Sequence, residues 1–378
     1  MRLVRTLLFM CLALAASSNA QTQVSLPKAP QARFYGAVDL GSSGTKAYLY
    51  SFAEEEGDPF PKVEFSQTIN TKLVSSMKEG RFTEVGIADA ASAVKQVVEA
   101  MRAEAKKRNI TVDPYYVVGS SGVALGKNTD DLVKAVKAAT GIDVDFVDVA
   151  NEGYFGMTSA VPKKRRGSSV YLDIGSGNTK LGCLVGEEDI KNFKSVEIKF
   201  GSKSGRNAGA ELNPTDIFAG IRQFMSEKVA PAYKMESMNT PCLGNRQRIY
   251  WSGGAAWATA TFMHPEWVDD NWVIVSKDDL EKFLAKLSAG TWNQQPVYHW
   301  ERLPKGLTQE MQHQIKERAE KEQASVKDIF AREDIYSGVS IMKTVLEASD
   351  PKAILQFVRT GNFIYGYALE RYKLASRE

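Results

Sequence analysis

Two stretches decide how this chain folds: Asp39-Leu40-Gly41-Ser42-Ser43-Gly44-Thr45-Lys46 and Asp173-Ile174-Gly175-Ser176-Gly177-Asn178-Thr179-Lys180. Both read D-x-G-S-x-x-T-K, and they begin 134 positions apart. Each sits between two strand-like runs, Phe34 to Asp39 with Thr45 to Phe52, and Ser169 to Asp173 with Thr179 to Val185. Glycine and serine between such runs mark a hairpin turn. The same hairpin met twice predicts two duplicated lobes related by a pseudo-twofold axis.

Working outward, Ile87, Ala91, Val94, Val98 and Met101 recur at helical spacing and predict a helix over 87–108. A strand at Tyr115–Val118, a helix over 129–140 and a strand at Val144–Val149 follow. The second half repeats the theme with a helix near 214–236, a strand at Arg248–Trp251, a helix over 255–263 and helices over 334–348 and 361–375. Strands alternating with helices are an α/β layer architecture. Lobe I is expected over 33–160 and lobe II over 168–345, with a polar helical elaboration at 286–330. The segment 346–378 is expected to pack back on lobe I.

The chain has 378 residues, 43% of them hydrophobic and 25% charged, enough for two cores. A formal charge of only +3 argues against a polyanion coat, so any anion site must be local and nucleic acid is not an expected partner. Arg2 and Arg5, the apolar run Leu7–Ala16 and the small residues Ser18-Asn19-Ala20 predict an export signal at 1–20, cleaved before Gln21. Cys11 follows Leu8-Phe9-Met10, which is not a lipoprotein setting. A polar leader occupies 21–32, and no later stretch is apolar enough to insert in a membrane. The mature chain is then expected to be periplasmic or secreted. It keeps Cys183 and Cys242, either as a disulfide or as two buried thiols.

Glycine-bearing turns can aim successive backbone N–H groups into one concavity, an anion nest. Gly41, Ser42, Ser43, Gly44, Thr45 and Lys46 in the first block, with Gly175, Ser176, Gly177, Asn178, Thr179 and Lys180 in the second, are therefore the candidate phosphate ligands. Asp39 and Asp173 end the strands beside them, where paired carboxylates can hold a hydrated Mg2+ or another divalent cation through water. Turn capping is the plainer role for either aspartate. Glu152, in Asn151-Glu152-Gly153-Tyr154-Phe155-Gly156, is the candidate general base, or simply first-turn charge for the helix that follows. Lys163-Lys164-Arg165-Arg166 reads as a solvated loop, and Lys203 and Arg206 as loop residues or cleft lining. His264, His299 and His313 lack metal-ligand spacing, and the aromatics from Trp292 to Trp300 read as packing.

The two blocks resemble the phosphate-binding motifs of the acetate kinase, sugar kinase, heat-shock cognate and actin superfamily. Within it the chain is most similar to the exopolyphosphatase and guanosine pentaphosphate phosphohydrolase family, and next to the apyrase-type nucleoside triphosphate diphosphohydrolases. Gly119-Ser120-Ser121-Gly122, Thr140-Gly141-Ile142, Asn151-Glu152-Gly153, Ser252-Gly253-Gly254 and Arg332-Glu333-Asp334-Ile335-Tyr336-Ser337-Gly338 follow in that family's order. Tyr35–Phe52 reads more like an apyrase opening. The resemblance implies two actin-like (ribonuclease H-like) lobes around a phosphate cleft, with Glu152 as the catalytic glutamate. It adds Ser120, Ser121, Gly253 and Gly254 to the site. It implies hydrolysis of terminal phosphoanhydrides of polyphosphate or a nucleotide, with a divalent cation.

Lys180 stands where that family carries Glu or Gln, and Val123-Ala124-Leu125 where it carries an arginine. Lys180 can hold a phosphate or oppose a metal ion. An apyrase-type hydrolase, a kinase and a noncatalytic phosphate or nucleotide binder are the competing readings. Export argues against the kinase, because compartments outside the cytoplasm hold little ATP.

Overall fold

The computed structural model describes residues 33–42, 44–52, 62–74, 76–359 and 361–375. The export signal at 1–20, the leader at 21–32 and Ser43 lie outside the described residues.

The first block forms the hairpin that its turn residues favour. β1 (Arg33–Leu40) and β2 (Gly44–Phe52) run antiparallel, with Asp39 opposite Lys46. β3 (Lys62–Asn70) pairs with β2 at the sheet edge. The chain continues through α1 (Glu84–Arg108), β4 (Val112–Gly119), α2 (Ser121–Ala124), α3 (Thr129–Thr140) and β5 (Val144–Phe146). Both β4 and β5 join in parallel, giving the order β3-β2-β1-β4-β5. Thr83 caps α1 by accepting the Gly86 N–H, a device worth about 1 kcal/mol. The buried face of α1 (Val94, Val97, Val98 and Met101 among others) then covers Val38, Leu40 and Ala47.

After α4 (Val149–Ala160) and α5 (Lys163–Arg166) the pattern restarts with the hairpin of β6 (Ser169–Ile174) and β7 (Thr179–Leu184). Asp173 lies opposite Lys180, the same register as Asp39 and Lys46. β8 (Phe193–Ile198), α6 (Ser202–Leu212), α7 (Ile217–Phe224), α8 (Ala230–Asn239), β9 (Arg248–Ser252) and α9 (Gly254–Met263) follow. Then come β10 (Trp272–Val275), α10 (Lys277–Ala289), α11 (Gln309–Ile329), α12 (Arg332–Glu347), β11 (Ile354–Val358) and α13 (Phe363–Ala375). The second sheet has the order β8-β7-β6-β9-β11-β10. Its first five strands repeat the first sheet, antiparallel outside the hairpin and parallel beyond it, and β10 is an added antiparallel edge. Two actin-like lobes are thus built on one plan.

Alternation along the strands decides where the aspartates point. Asp39 shares a face with Tyr35 and Ala37, which pack under Phe363, Ile364 and Tyr367 of α13. Asp173 shares a face with Tyr171, which packs with Tyr154 and Met157 of α4. α4 and α13 in turn pack on each other, with no Cβ on Gly366 to hold the helix off the Phe155 carbonyl. Both aspartates therefore face the seam between the lobes.

Several local expectations need correction. The strand expected to reach Val149 stops at Phe146, because Asp148 accepts the Asn151 N–H at 2.7 Å and caps α4. The helix expected over 214–236 begins at Ile217 and is interrupted by a π-turn at Met225–Val229. Residues 202–206 are not a loop but the start of α6, whose packing on α7 and α12 overrides its glycines and serines. Lys163–Arg166 is a helical turn, and Arg166 is not solvated. It is buried, paired with Glu188, and donates to the Val161 and Thr158 carbonyls. Beyond Asp350-Pro351 lies β11 before the last helix. The C-terminal segment is therefore shared, β11 completing the second sheet and α13 covering the first. Cys183 and Cys242 are joined by a disulfide with their Cα atoms 6.3 Å apart.

Candidate active site

The first turn closes on a Gly41 N–H donated to the Gly44 carbonyl at 3.0 Å, the second on a Gly175 N–H donated to Asn178 at 2.9 Å. These two amides are spent and cannot serve an anion. The second turn is held from behind by α6. The Ser202 N–H donates to the Gly175 carbonyl, the Lys203 and Ser204 N–H groups to Ser176, and the Ser204 hydroxyl to Gly177. In a trans peptide the C=O and the next N–H point oppositely. The N–H groups of Ser176, Gly177 and Asn178 are thus turned away from α6, and none donates to a protein acceptor among the described residues. Three successive free amides on one side of a turn are the backbone arrangement that an anion nest requires. In the first turn the Ser42 N–H is likewise unspent, while the Ser42 carbonyl accepts from Val74.

Not every candidate in the blocks reaches this side. Thr45 and Thr179 are fully buried on the opposite strand face, and the Thr179 hydroxyl donates to the Phe200 carbonyl at 2.7 Å. Neither is a phosphate ligand. Asn178 directs its side-chain amide to Glu197 at 2.6 Å. Gly253 has φ of +98°, and a Cβ there would lie 3.0 Å from Asp173 Oδ1, so it lets the carboxylate sit against the backbone. Gly254 faces the ring of Phe330 instead and serves packing. The Ser120 N–H closes the end of β1 by donating to Leu40.

Glu152 lies in the first turn of α4, buried, and does far more than supply helix charge. Its Oε2 accepts the Ser121 N–H at 2.9 Å and its Oε1 meets the Lys180 ammonium at 2.5 Å. Gly156, one turn later, leaves no Cβ to strike the Tyr171 ring, so α4 lies close on β6 and brings Glu152 within reach. Lys180 Nζ also donates to Asp173 Oδ2 at 3.1 Å, and its side chain is 7% exposed. Burial alone would depress the Lys180 pKa, but Glu152 and Asp173 outweigh it and hold the ammonium well above its ordinary range. Asp39 is the least satisfied of the carboxylates. Its Oδ2 is 3.8 Å from Lys46, and its Oδ1 is buried without a hydrogen bond. Burial pushes its pKa from 3.8 up to about 6, with Lys46 opposing and the charges of Glu152, Lys180 and Asp173 also acting on it. Asp39 raises the Lys46 pKa in return. The charged groups thus form two clusters, Asp39 with Lys46 and Lys180 with Glu152 and Asp173, whose charges bear on Asp39.

A relay that the sequence did not signal supports Asp173. Ser252 Oγ donates to Asp173 Oδ1 at 3.4 Å and shares a 2.7 Å hydrogen bond with the Tyr171 hydroxyl. Ser252-Gly253-Gly254 stands out as a motif, but nothing in the sequence joins Tyr171 to it. Lys203 and Arg206 lie in the first two turns of α6, and Arg206 pairs with Asp334 at 3.0 Å. His264 is buried against Asp279 at 3.2 Å, away from the seam.

With this geometry in view, solved structures of similar shape give the fold a family. A Ppx/GppA family member from Aquifex aeolicus superposes with a TM-score of 0.63 and 13% identity, covering 92% of this chain and all of that one. The chain has the Ppx/GppA fold. An exopolyphosphatase from Cytophaga hutchinsonii gives 0.60 with 16% identity over 90% of this chain and 98% of its own. An exopolyphosphatase-like protein gives 0.62 with 14% identity over 91% and 99%. No protein-family model matches the chain, and no curated protein matches it in sequence.

The expected divalent cation can be tested on these side chains. Asp173 and Glu152 already share the Lys180 ammonium, and Asp39 faces Lys46. A dication held by Asp39 and Asp173 through water would stand beside a buried, permanently charged lysine. The carboxylates as arranged do not fit it, which corrects the assignment of Asp39 and Asp173 as a water-mediated metal site. Lys180 is corrected too, from phosphate ligand to carboxylate partner.

Proposed function

We propose that the chain hydrolyses terminal phosphoanhydride bonds of polyphosphate or nucleoside polyphosphates in the seam between the two hairpins. The observation that carries this reading is Glu152, a buried carboxylate anchored at one oxygen by the Ser121 N–H and at the other by Lys180, the last residue of the second block. The shared fold with a solved exopolyphosphatase and an exopolyphosphatase-like protein agrees with it. In this reading the terminal phosphate rests on the N–H groups of Ser42 and of Ser176 to Asn178. Lys46, half exposed, neutralises it. Glu152 orients a water for in-line attack. The bond from the terminal phosphorus to the bridging oxygen breaks, the shortened chain leaves, and the water proton passes through Glu152 to solvent. Positioning and electrostatics carry such a reaction, and no covalent intermediate is needed.

The Glu152–Lys180 contact also favours one rival, a noncatalytic phosphate binder in which the carboxylate is permanently spent. Orthophosphate release from polyphosphate, nucleoside triphosphate and nucleoside diphosphate separates the cases. Release from polyphosphate supports the first reading, release from both nucleotides an apyrase-type one, and binding without release the rival. We propose further that the mature chain works outside the cytoplasm. The Cys183–Cys242 disulfide suits an oxidising compartment. Mass spectrometry of the exported protein should find an N-terminus at Gln21, and an intact Met1 would refute export.

A further inference from the structure

We infer that the Lys180 ammonium is the resident cation of this site and stands in for a divalent metal ion, so that phosphate chemistry here runs without one. The inference rests on the hydrolase reading and specifies what that site lacks. Lys180 is the cross-strand partner of Asp173, so β-sheet register places its side chain on the aspartate's face. Its ammonium touches Asp173 and Glu152, two carboxylates from separate elements, at 3.1 and 2.5 Å. It is buried, so solvent screens it little. A dication placed among Asp39, Asp173 and Glu152 would meet that charge at short range.

Lys180 cannot simply swing aside, because the buried Glu152 and the half-buried Asp173 would then lose the one ionic partner each has among the described residues. The first hairpin shows the contrast. Lys46 occupies the equivalent register but lies 3.8 Å from Asp39 with half its side chain exposed, free to meet a substrate phosphate. Of two lysines from one repeated block, one faces the substrate and the other is built in. Lys180 is thus a positioning residue. It fixes the Glu152 carboxylate, the role a bridging metal ion would otherwise take.

The test uses the full mature chain, stripped of metal with EDTA, and two readouts. Calorimetric titration with Mg2+ alone should give no saturable binding to the wild type at millimolar concentrations. Lys180→Gln removes the charge and should gain a one-to-one Mg2+ site. Orthophosphate release from polyphosphate should agree within about twofold in EDTA and in Mg2+ for the wild type. Lys180→Gln should fall roughly tenfold or more in EDTA and recover with Mg2+. Saturable Mg2+ binding by the wild type, or activity abolished by EDTA and restored by Mg2+, would overturn the inference. So would a folded Lys180→Gln that binds no Mg2+. Should Lys180→Gln fail to fold, the wild-type titration decides alone. Should the wild type release no phosphate under any condition, the hydrolase reading falls while the titration still decides this one.

Discussion

The hairpins β1–β2 and β6–β7 carry the same eight-residue pattern and the same aspartate–lysine register, yet their charges have different fates. In the first, Lys46 is half exposed and Asp39 keeps one buried oxygen without a partner. In the second, Lys180 is buried between Asp173 and Glu152, and Ser252 supports Asp173 from the far side. The difference comes from α4. It lies directly on β6, β7 and β8 and delivers Glu152 to one hairpin only. Duplication supplies the frame, and a single asymmetric helix turns one half into the anchored side.

Removing each lysine should separate the two hairpins most strongly. Lys180→Met leaves the buried Glu152 and the half-buried Asp173 without their cation and should cost about 3–5 kcal/mol of unfolding free energy. Lys46→Met removes a half-exposed partner at 3.8 Å from an Asp39 that can take up a proton instead, and should cost less, about 1–2 kcal/mol. Urea unfolding of both variants measures the gap, and equal losses would deny that the hairpins differ.

The aspartates offer the next contrast. Asp39 has a folded pKa raised from 3.8 to about 6 by burial, so the folded state holds its proton more tightly than the unfolded chain does. Its contribution is therefore fully present below about pH 4 and lost as pH rises through about 6. Asp39→Asn should leave stability nearly unchanged at pH 4 and raise it by on the order of 3 kcal/mol at pH 7.5. Asp173→Asn should destabilise at pH 7.5, because it strips Lys180 of one partner. Thermal unfolding at the two pH values distinguishes these, and a matching response in both variants would contradict the asymmetry.

The smallest effect concerns the relay. Ser252→Ala removes one hydrogen bond to Asp173 and leaves the buried Tyr171 hydroxyl unpaired, a loss of about 1–3 kcal/mol at the upper end. The first hairpin has no corresponding hydroxyl on Asp39 Oδ1. A loss indistinguishable from zero would mean that the relay is incidental.

The repeated hairpin was legible because its signals are local, with glycine and serine in the turn and alternating apolar strands on either side. The two-lobe plan follows from recognising it twice. β3, β8, β10 and β11 were not legible, being short runs of four to nine residues whose pairing depends on neighbours distant in the chain. α6 was hidden for the opposite reason, since Gly201, Ser202, Ser204 and Gly205 read as breakers until α7 and α12 pack over them. At the site, Glu152, Asp39, Asp173 and Lys180 were each singled out by type and position. What could not be read is that Lys180 crosses to Glu152, 28 positions earlier, because that contact depends on how closely α4 sits on β6. Thr45 and Thr179 were misplaced by the motif itself, whose hydroxyls face the core in both copies.

On the proposed mechanism, Glu152 orients the attacking water in a seam that binds polyphosphate. Glu152→Gln keeps the shape and the Ser121 hydrogen-bond acceptor while removing the charge. Polyphosphate affinity and orthophosphate release measured side by side on this variant and the wild type test the claim most directly. Affinity should hold while the rate of release falls by about a hundredfold to ten-thousandfold. Release at the wild-type rate would contradict the assignment, whatever the fold.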